Sequence, residues 1–258
     1  MIFSKYYANG NDFVIVEDDD KYQEFMKGKD KIEFIKLICN RYKGIGADGF
    51  ILIKPTKQTK FGDEIDFEWE FYNLDGSVAS MCGNGSRAAA HFAYTKGIAG
   101  SNMAFLTGAG VIKASVCDDM VEVCLGELKK EPKEVEFEGR KYYFTDSGVP
   151  HIVNFVDDIN TFDKSLCVKL RNHFNANVNY AQIIDKNTLK VRTYERGVED
   201  ETLACGTGMG ASFYFARRFG VEDSARVYPT SLEEVHFRYD DEKLYFKGKV
   251  IKSFEAKV

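Results

Sequence analysis

The chain lacks the marks of several large protein classes. It has no excess of positive charge: 35 lysines and arginines stand against 40 aspartates and glutamates, for a net charge of -5. Phosphate backbones recruit basic surfaces, so nucleic acid is not an expected partner. No apolar run approaches the roughly 18 residues that mark a membrane-spanning helix. The opening stretch, MIFSKYYANGNDF, has none of the basic head, apolar segment and small-residue cleavage site of a secretory signal. The expected location is therefore the cytoplasm, with no membrane partner. There is no CxxC pair and no HExxH, and the four histidines, His91, His151, His173 and His236, are scattered, so no metal site is expected.

What is present points elsewhere. With 258 residues the chain is long enough for one large domain or two ordinary ones, and it can bury a sizeable core without disulfides. In a reducing compartment its six cysteines are either packing or chemistry. Cys39 in IEFIKLICNRY, Cys117 and Cys124 in ASVCDDMVEVCLG, and Cys167 in DKSLCVKL lie within apolar patterns and read as small packing residues.

Cys82 and Cys205 have a different setting. Each opens a glycine-rich turn, CGNG or CGTG, followed by a helical run, SRAAAHFAYTKGI or MGASFYFARRFGV. The offset of 123 between the cysteines also carries Gly97 onto Gly220 and Thr107 onto Thr230. Downstream, AFLTGAGVIKASVCDDMVEVCLG aligns with ARVYPTSLEEVHFRYDDEKLYFKG as three strands with an acidic turn at Asp118-Asp119 or Asp240-Asp241. Upstream, GNDFVIVED and GVPHIVNFVDD both read as a glycine loop, at Gly10 or Gly148, leading into an apolar strand. A repeat of half the chain in two copies predicts two homologous domains with a cleft between them, not a solenoid. The expected fold class is α+β, each domain a curved, mainly antiparallel sheet wrapped around the helix after its cysteine, since both helices are apolar nearly all round. The expected halves are 1–127, to which a last strand at about 250–258 can return, and 128–249. The EVEFEGRKYYF and DDEKLYF hairpins read as solvated edges.

A helix N-terminus exposes unsatisfied N–H groups and a partial positive charge, so it binds anions and lowers the pKa of an adjacent thiol. Each half thus offers a potential thiolate beside a site sized for a carboxylate. The plain alternative is a tight turn in which small residues are needed only sterically. Two thiols disposed about one bound carboxylate suit inversion at an amino-acid α-carbon: a base takes the proton from one face and an acid returns one to the other. A cysteine hydrolase would want a single thiol with a histidine partner. The weakly acidic α-proton also requires N–H donors aimed at the carboxylate, which two helix ends can supply.

The segments FSKYYANGNDFVIV, GIGADG, FYNLDGSVASMCGNGSR, NVNYAQI and YERGVEDETLACGTG resemble the signature blocks of the diaminopimelate epimerase family, in order over nearly the whole chain. CGxG alone would also fit proline racemases. The resemblance implies a cofactor-independent isomerase that interconverts LL- and meso-2,6-diaminopimelate in lysine and peptidoglycan precursor synthesis, a homodimer acting on a small-molecule substrate with no cofactor. It implies that Cys82 and Cys205 are the acid and base, that His151 and Glu195 assist them, and that Gly83, Asn84, Gly206 and Thr207 hold the reacting carboxylate. Asn11, Asn73 and Asn179 would contact substrate, with Glu195 and Arg196 at its distal amino-acid head. Read from the residues alone, Asn11 also fits a turn, Glu195-Arg196 an exposed pair, and His151 a satisfied loop histidine.

Two departures stand out. Val149 occupies the place where the family commonly has asparagine, in SGVPH, and ERGVEDETLACG carries one residue more than the common spacing. Both bear on substrate preference, and a racemase of another amino acid, a ligand-binding protein with structural thiols and a pyridoxal-phosphate racemase remain as rivals. Two thiols flanking one carbon would also be close enough to join as a Cys82–Cys205 disulfide on oxidation.

Overall fold

In the computed structural model, which describes residues 1–128, 130–147 and 149–258, the chain divides into two compact units. Met1–Val123 with Gly248–Val258 form the first, and Cys124–Lys247 the second. Gly148 lies outside the described residues.

The chain opens with β1 (Ile2–Ala8), β2 (Asn11–Glu17), α1 (Asp20–Met26), α2 (Lys31–Cys39), β3 (Gly49–Lys60), β4 (Asp63–Asn73) and β5 (Val78–Ala79). Helix α3 (Gly83–Thr95) follows, then β6 (Asn102–Thr107), β7 (Gly110–Cys117) and β8 (Met120–Gly126). The second series runs β9 (Lys130–Phe137), β10 (Arg140–Asp146), β11 (Pro150–Phe155), α4 (Lys164–Phe174), β12 (Asn177–Asp185), β13 (Thr188–Glu195) and β14 (Asp200–Thr202). It ends with α5 (Gly206–Ala216), β15 (Ser224–Tyr228), β16 (Val235–Asp240) and β17 (Lys243–Lys249), and β18 (Ile251–Lys257) closes the chain.

Strand pairing repeats between the units. In the first, β1–β2, β3–β4, β6–β7 and β7–β8 are antiparallel, while β2–β3 and β4–β6 are parallel. In the second, β10–β11, β12–β13 and β15–β16 are antiparallel, while β11–β12 and β13–β15 are parallel. Parallel neighbours need a long crossover, and each such pair is bridged by helix: α1–α2 or α4 for one, α3 or α5 for the other. The outer strand has a different source in each unit. β10 pairs with β9, its predecessor, whereas β1 pairs with β18 from the opposite end of the chain.

Side-chain alternation explains the layers. On β2 and β3, Phe13 and Ile51 meet the first turn of α3, whereas Val14, Val16, Phe50 and Leu52 join Ile35 and Ile38 of α2 in a separate cluster. Covered on both faces, these strands read as continuous apolar runs. β4 is covered on one face and alternates instead, with Ile65, Phe67, Trp69 and Phe71 buried between acidic residues. In the second unit Ile152, Val178 and Tyr180 pack against Cys167 and Leu170 of α4. Helix α3 packs on β1, β2, β3 and β7, and α5 on β10 to β13, β15 and β16, so both helices are enclosed by their own sheets.

Two expectations need correction. Cys39 and Cys167 are buried, but Cys117 is exposed and Cys124 half-buried: the alternation of β7 turns Ala114 and Val116 inward and leaves Cys117 outside beside its turn. The hairpins expected as solvated edges are exposed only in part, because Tyr142, Leu244 and Phe246 point into the core. Among the described residues no helix is long and apolar enough to cross a membrane.

Candidate active site

Cys82 and Cys205 occupy equivalent places, each the N-cap of its unit's enclosed helix with extended backbone. The first N–H groups of a helix have no acceptor within it. At α3 the Gly85 N–H turns back to Cys82 Sγ at 3.4 Å, a donor that favours the thiolate over the thiol. The N–H groups of Gly83 and Asn84 share that first turn.

Asn84 links α3 to the start of β2. Its Nδ2 donates to Asn11 Oδ1 at 2.8 Å and to the Asn9 carbonyl at 3.2 Å, while Asn11 Nδ2 donates to Asp48 Oδ2 at 3.2 Å. Cys82, Asn84 and Asn11 are thus brought together. Asn73 lies apart from that network: it is exposed at the end of β4, and its amide donates to Ser77 within the turn leading to β5.

At α5 the sulfur has a hydroxyl beside it. Cys205 Sγ lies 3.6 Å from Thr207 Oγ1, which lies 2.9 Å from His151 Nε2, and His151 Nδ1 lies 3.1 Å from Asn179 Nδ2. The protons along this chain follow from its far end. Asn179 Nδ2 also donates to the Ile152 carbonyl at 2.9 Å, and its Oδ1 accepts from the Thr193 hydroxyl at 2.9 Å, so the amide nitrogen must face His151. His151 Nδ1 is then an acceptor, and the ring proton sits on Nε2 and donates to Thr207. The Thr207 hydroxyl is left to donate to Cys205 Sγ.

Burial keeps the ring neutral. His151 is fully buried, and desolvation, with a smaller push from the charge of Arg196, lowers its pKa to about 3. At neutral pH it is a neutral donor acting through Thr207 rather than an imidazolium. Gly208 makes room for the arrangement: a Cβ there would lie 2.2 Å from Asn179 Oδ1 and 3.1 Å from Thr193 Oγ1. Ser147 completes the surround by donating to the Thr207 carbonyl at 2.9 Å.

Glu195 ends β13, and burial raises its carboxyl pKa while the Thr202 hydroxyl draws it back. Neighbouring Arg196 is held by its backbone N–H to Asn177 Oδ1 at 2.7 Å and by Nη1 to the Asn175 carbonyl at 2.9 Å. The lengthened acidic loop is tied down by cations. Glu199, at φ 58°, pairs with Arg171 at 2.7 Å, Asp200 with Lys164 at 2.5 Å, and Glu201 with Arg192 at 2.7 Å. The added negative charge is thereby spent on α4 and β13. Val149 is half-buried just ahead of β11.

Four polar residues of these networks carry no site role in the sequence motifs: Asn9 and Arg87, which stand inside the segments FSKYYANGNDFVIV and FYNLDGSVASMCGNGSR, and Ser147 and Thr193. For Arg87 a signal existed, because a lone cation in a helix apolar nearly all round has to be buried and bonded. Ser147 and Thr193 reach Thr207 and Asn179 across 60 and 14 residues. Among the described residues no group of three or more His, Cys, Asp or Glu is placed to hold a metal ion.

Known proteins resemble this chain in sequence and in fold. The diaminopimelate epimerase family model matches residues 3–131 and 143–252. A diaminopimelate epimerase of Campylobacter jejuni is 54% identical over 257 residues, covering 99% of this chain and 98% of that protein. One of Aquifex aeolicus is 41% identical over 276 aligned positions, covering 100% and 98%. Among solved structures, a hydroxyproline epimerase of Agrobacterium vitis with bound trans-4-hydroxy-L-proline superposes with a TM-score of 0.69 at 13% identity, covering 100% of this chain and 90% of that one. A Bacillus anthracis phenazine biosynthesis protein of the PhzF family gives 0.71 at 14% identity, covering 100% and 98%. At such identities these two show the fold alone.

Proposed function

This chain belongs to the diaminopimelate epimerase family, and from that premise we propose that its interconversion of LL- and meso-2,6-diaminopimelate is carried by Cys82 and Cys205 as base and acid on opposite faces of one α-carbon. One observation supports this reading above the rest: in each unit a cysteine caps the enclosed helix with a hydrogen-bond donor at its sulfur, Gly85 N–H for Cys82 and the Thr207 hydroxyl for Cys205.

The chemistry assigns the parts. One thiolate removes the α-proton, the carboxylate gains negative charge as it leaves, and the opposite thiol protonates the far face. Which cysteine starts as thiolate depends on the configuration of the substrate. The first-turn N–H groups of Gly83, Asn84, Gly206 and Thr207 hold the reacting carboxylate, where preorganised donors stabilise the charge that develops. Glu195 and Arg196 take the distal amino and carboxylate groups, and Asn11 and Asn73 contact the substrate from the first unit. His151 supports Cys205 through Thr207. Asn179 orients His151 with both of its N–H donors engaged, so a direct contact with substrate that keeps its three hydrogen bonds uses the second lone pair of Oδ1.

The protein works in the cytoplasm in this reading, where its six unbridged cysteines stay reduced, and as a homodimer, as the family resemblance implies. Turnover of LL-diaminopimelate compared with single-headed amino acids tests the substrate. Preference for the two-headed substrate, lost in Arg196→Ala, supports the assignment; efficient racemisation of single-headed amino acids with no turnover of diaminopimelate overturns it.

A further inference from the structure

We propose that Arg87 is a positioning residue for the Cys82 half of the site: it dictates which way the amides of Asn84 and Asn11 point. The inference rests on the reading that Cys82, Asn84 and Asn11 act on the substrate.

Arg87 is fully buried and is among the largest such side chains of the described residues. Burying a guanidinium costs several kcal/mol unless its N–H groups are well matched. Its Nη2 donates to Asn84 Oδ1 at 2.9 Å and to Asn9 Oδ1, and its Nη1 to the Gly83 carbonyl at 3.4 Å. Asn9 sits at φ 44°, a left-handed conformation that asparagine tolerates, on the turn between β1 and β2. Room for the guanidinium depends on Gly248, where a Cβ would lie 2.5 Å from Asn9 Oδ1 and 3.3 Å from both Nε and Nη2 of Arg87.

Arginine only donates, so the Asn84 amide must turn its oxygen to Arg87 and its nitrogen to Asn11. Asn11 must then offer its oxygen to Asn84 and its own nitrogen to Asp48. Asp48 is an acceptor held in place by Arg41 at 2.7 Å and by the Asp12 N–H at 3.1 Å. A guanidinium at one end and a carboxylate at the other fix both amides; flipping either would set donor against donor or acceptor against acceptor.

Arg87→Lys keeps the charge and loses the fork. The expected result is folded protein in which the side-chain amide 1H–15N resonances of Asn84 and Asn11 move while those of Asn179, in the other unit, stay in place. A misplaced donor at a reacting centre lowers kcat/KM by about 10²-fold. Cys82→Ala is assayed alongside. Full turnover in Cys82→Ala removes the underlying functional reading whatever Arg87 does. A dead Cys82→Ala beside a folded Arg87→Lys with wild-type kcat/KM and unmoved amide resonances overturns the proposal for Arg87 alone. Gly248→Ala, which presses on Asn9 and the guanidinium from outside, is expected to reproduce both effects. If Arg87→Lys does not fold, wild-type turnover with unmoved resonances in folded Gly248→Ala is the overturning result.

Discussion

Acidification should expose His151 as a buried neutral group. In the unfolded chain its pKa is the ordinary 6.5, whereas in the fold it is about 3. Because the folded value is depressed, the stability linked to this residue is present above 6.5 and is lost as the pH falls toward 3, where the unfolded state binds a proton that the folded state refuses. At about pH 5, roughly 1.5 pH units below the unfolded value, the loss is about 2 kcal/mol. For a chain of this size that corresponds to a fall in Tm of about 4–8 °C. The assay is urea unfolding of the wild type and of His151→Gln at about pH 7.5 and about pH 5, the variant being expected to lose about 2 kcal/mol less on acidification. His91, whose pKa burial also lowers, contributes equally to both proteins and cancels. In 15N spectra the His151 ring should show the Nε2–H tautomer throughout. Equal pH slopes in the two proteins, or imidazolium shifts at His151 by about pH 5, would refute the reasoning.

Two further substitutions test the network around Cys205. Thr207→Val keeps the backbone N–H and the shape but strands the Nε2–H of His151, at a stability cost of about 1–3 kcal/mol. It removes the hydroxyl beside Cys205 Sγ, so that iodoacetamide should alkylate Cys205 more slowly at neutral pH while Cys82 reacts as before; an unchanged alkylation profile would count against the relay. Gly208→Ala drives a Cβ to 2.2 Å from Asn179 Oδ1. It is expected to cost about 1–3 kcal/mol by overpacking and to lower kcat/KM, and a fully active variant of wild-type stability would show that the Asn179 position is not required.

Local signals carried much of this fold. The paired CGxG turns announced two equivalent helices, and the runs FVIV and IEFIKLIC gave β2 and α2 their type because apolar spacing directly reflects which faces are covered. Pairings between distant segments were less legible. Nothing local in IKSFEAK specifies that β18 joins β1, and nothing in β2 or β3 alone makes them parallel; both follow from how the crossovers run. The same holds within the site. Cys82, Cys205, Glu195 and Arg196 stand in recognisable motifs, but the link from His151 to Thr207 crosses 56 residues and that from Arg87 to Asn9 crosses 78. Cys117 shows the opposite failure: an apolar neighbourhood suggested burial, but its place at the end of β7 turns it outward.

The most direct test is to incubate LL-diaminopimelate with the wild type, Cys82→Ala and Cys205→Ala in deuterated water, following α-deuterium and the meso form together. The wild type should incorporate solvent deuterium at the inverted centre, and either substitution should lower epimerisation by at least about 10²-fold, the usual contribution of a positioned acid or base. Inversion at the wild-type rate in either variant, or meso product that retains the original α-proton in every turnover, would contradict proton transfer by two thiols.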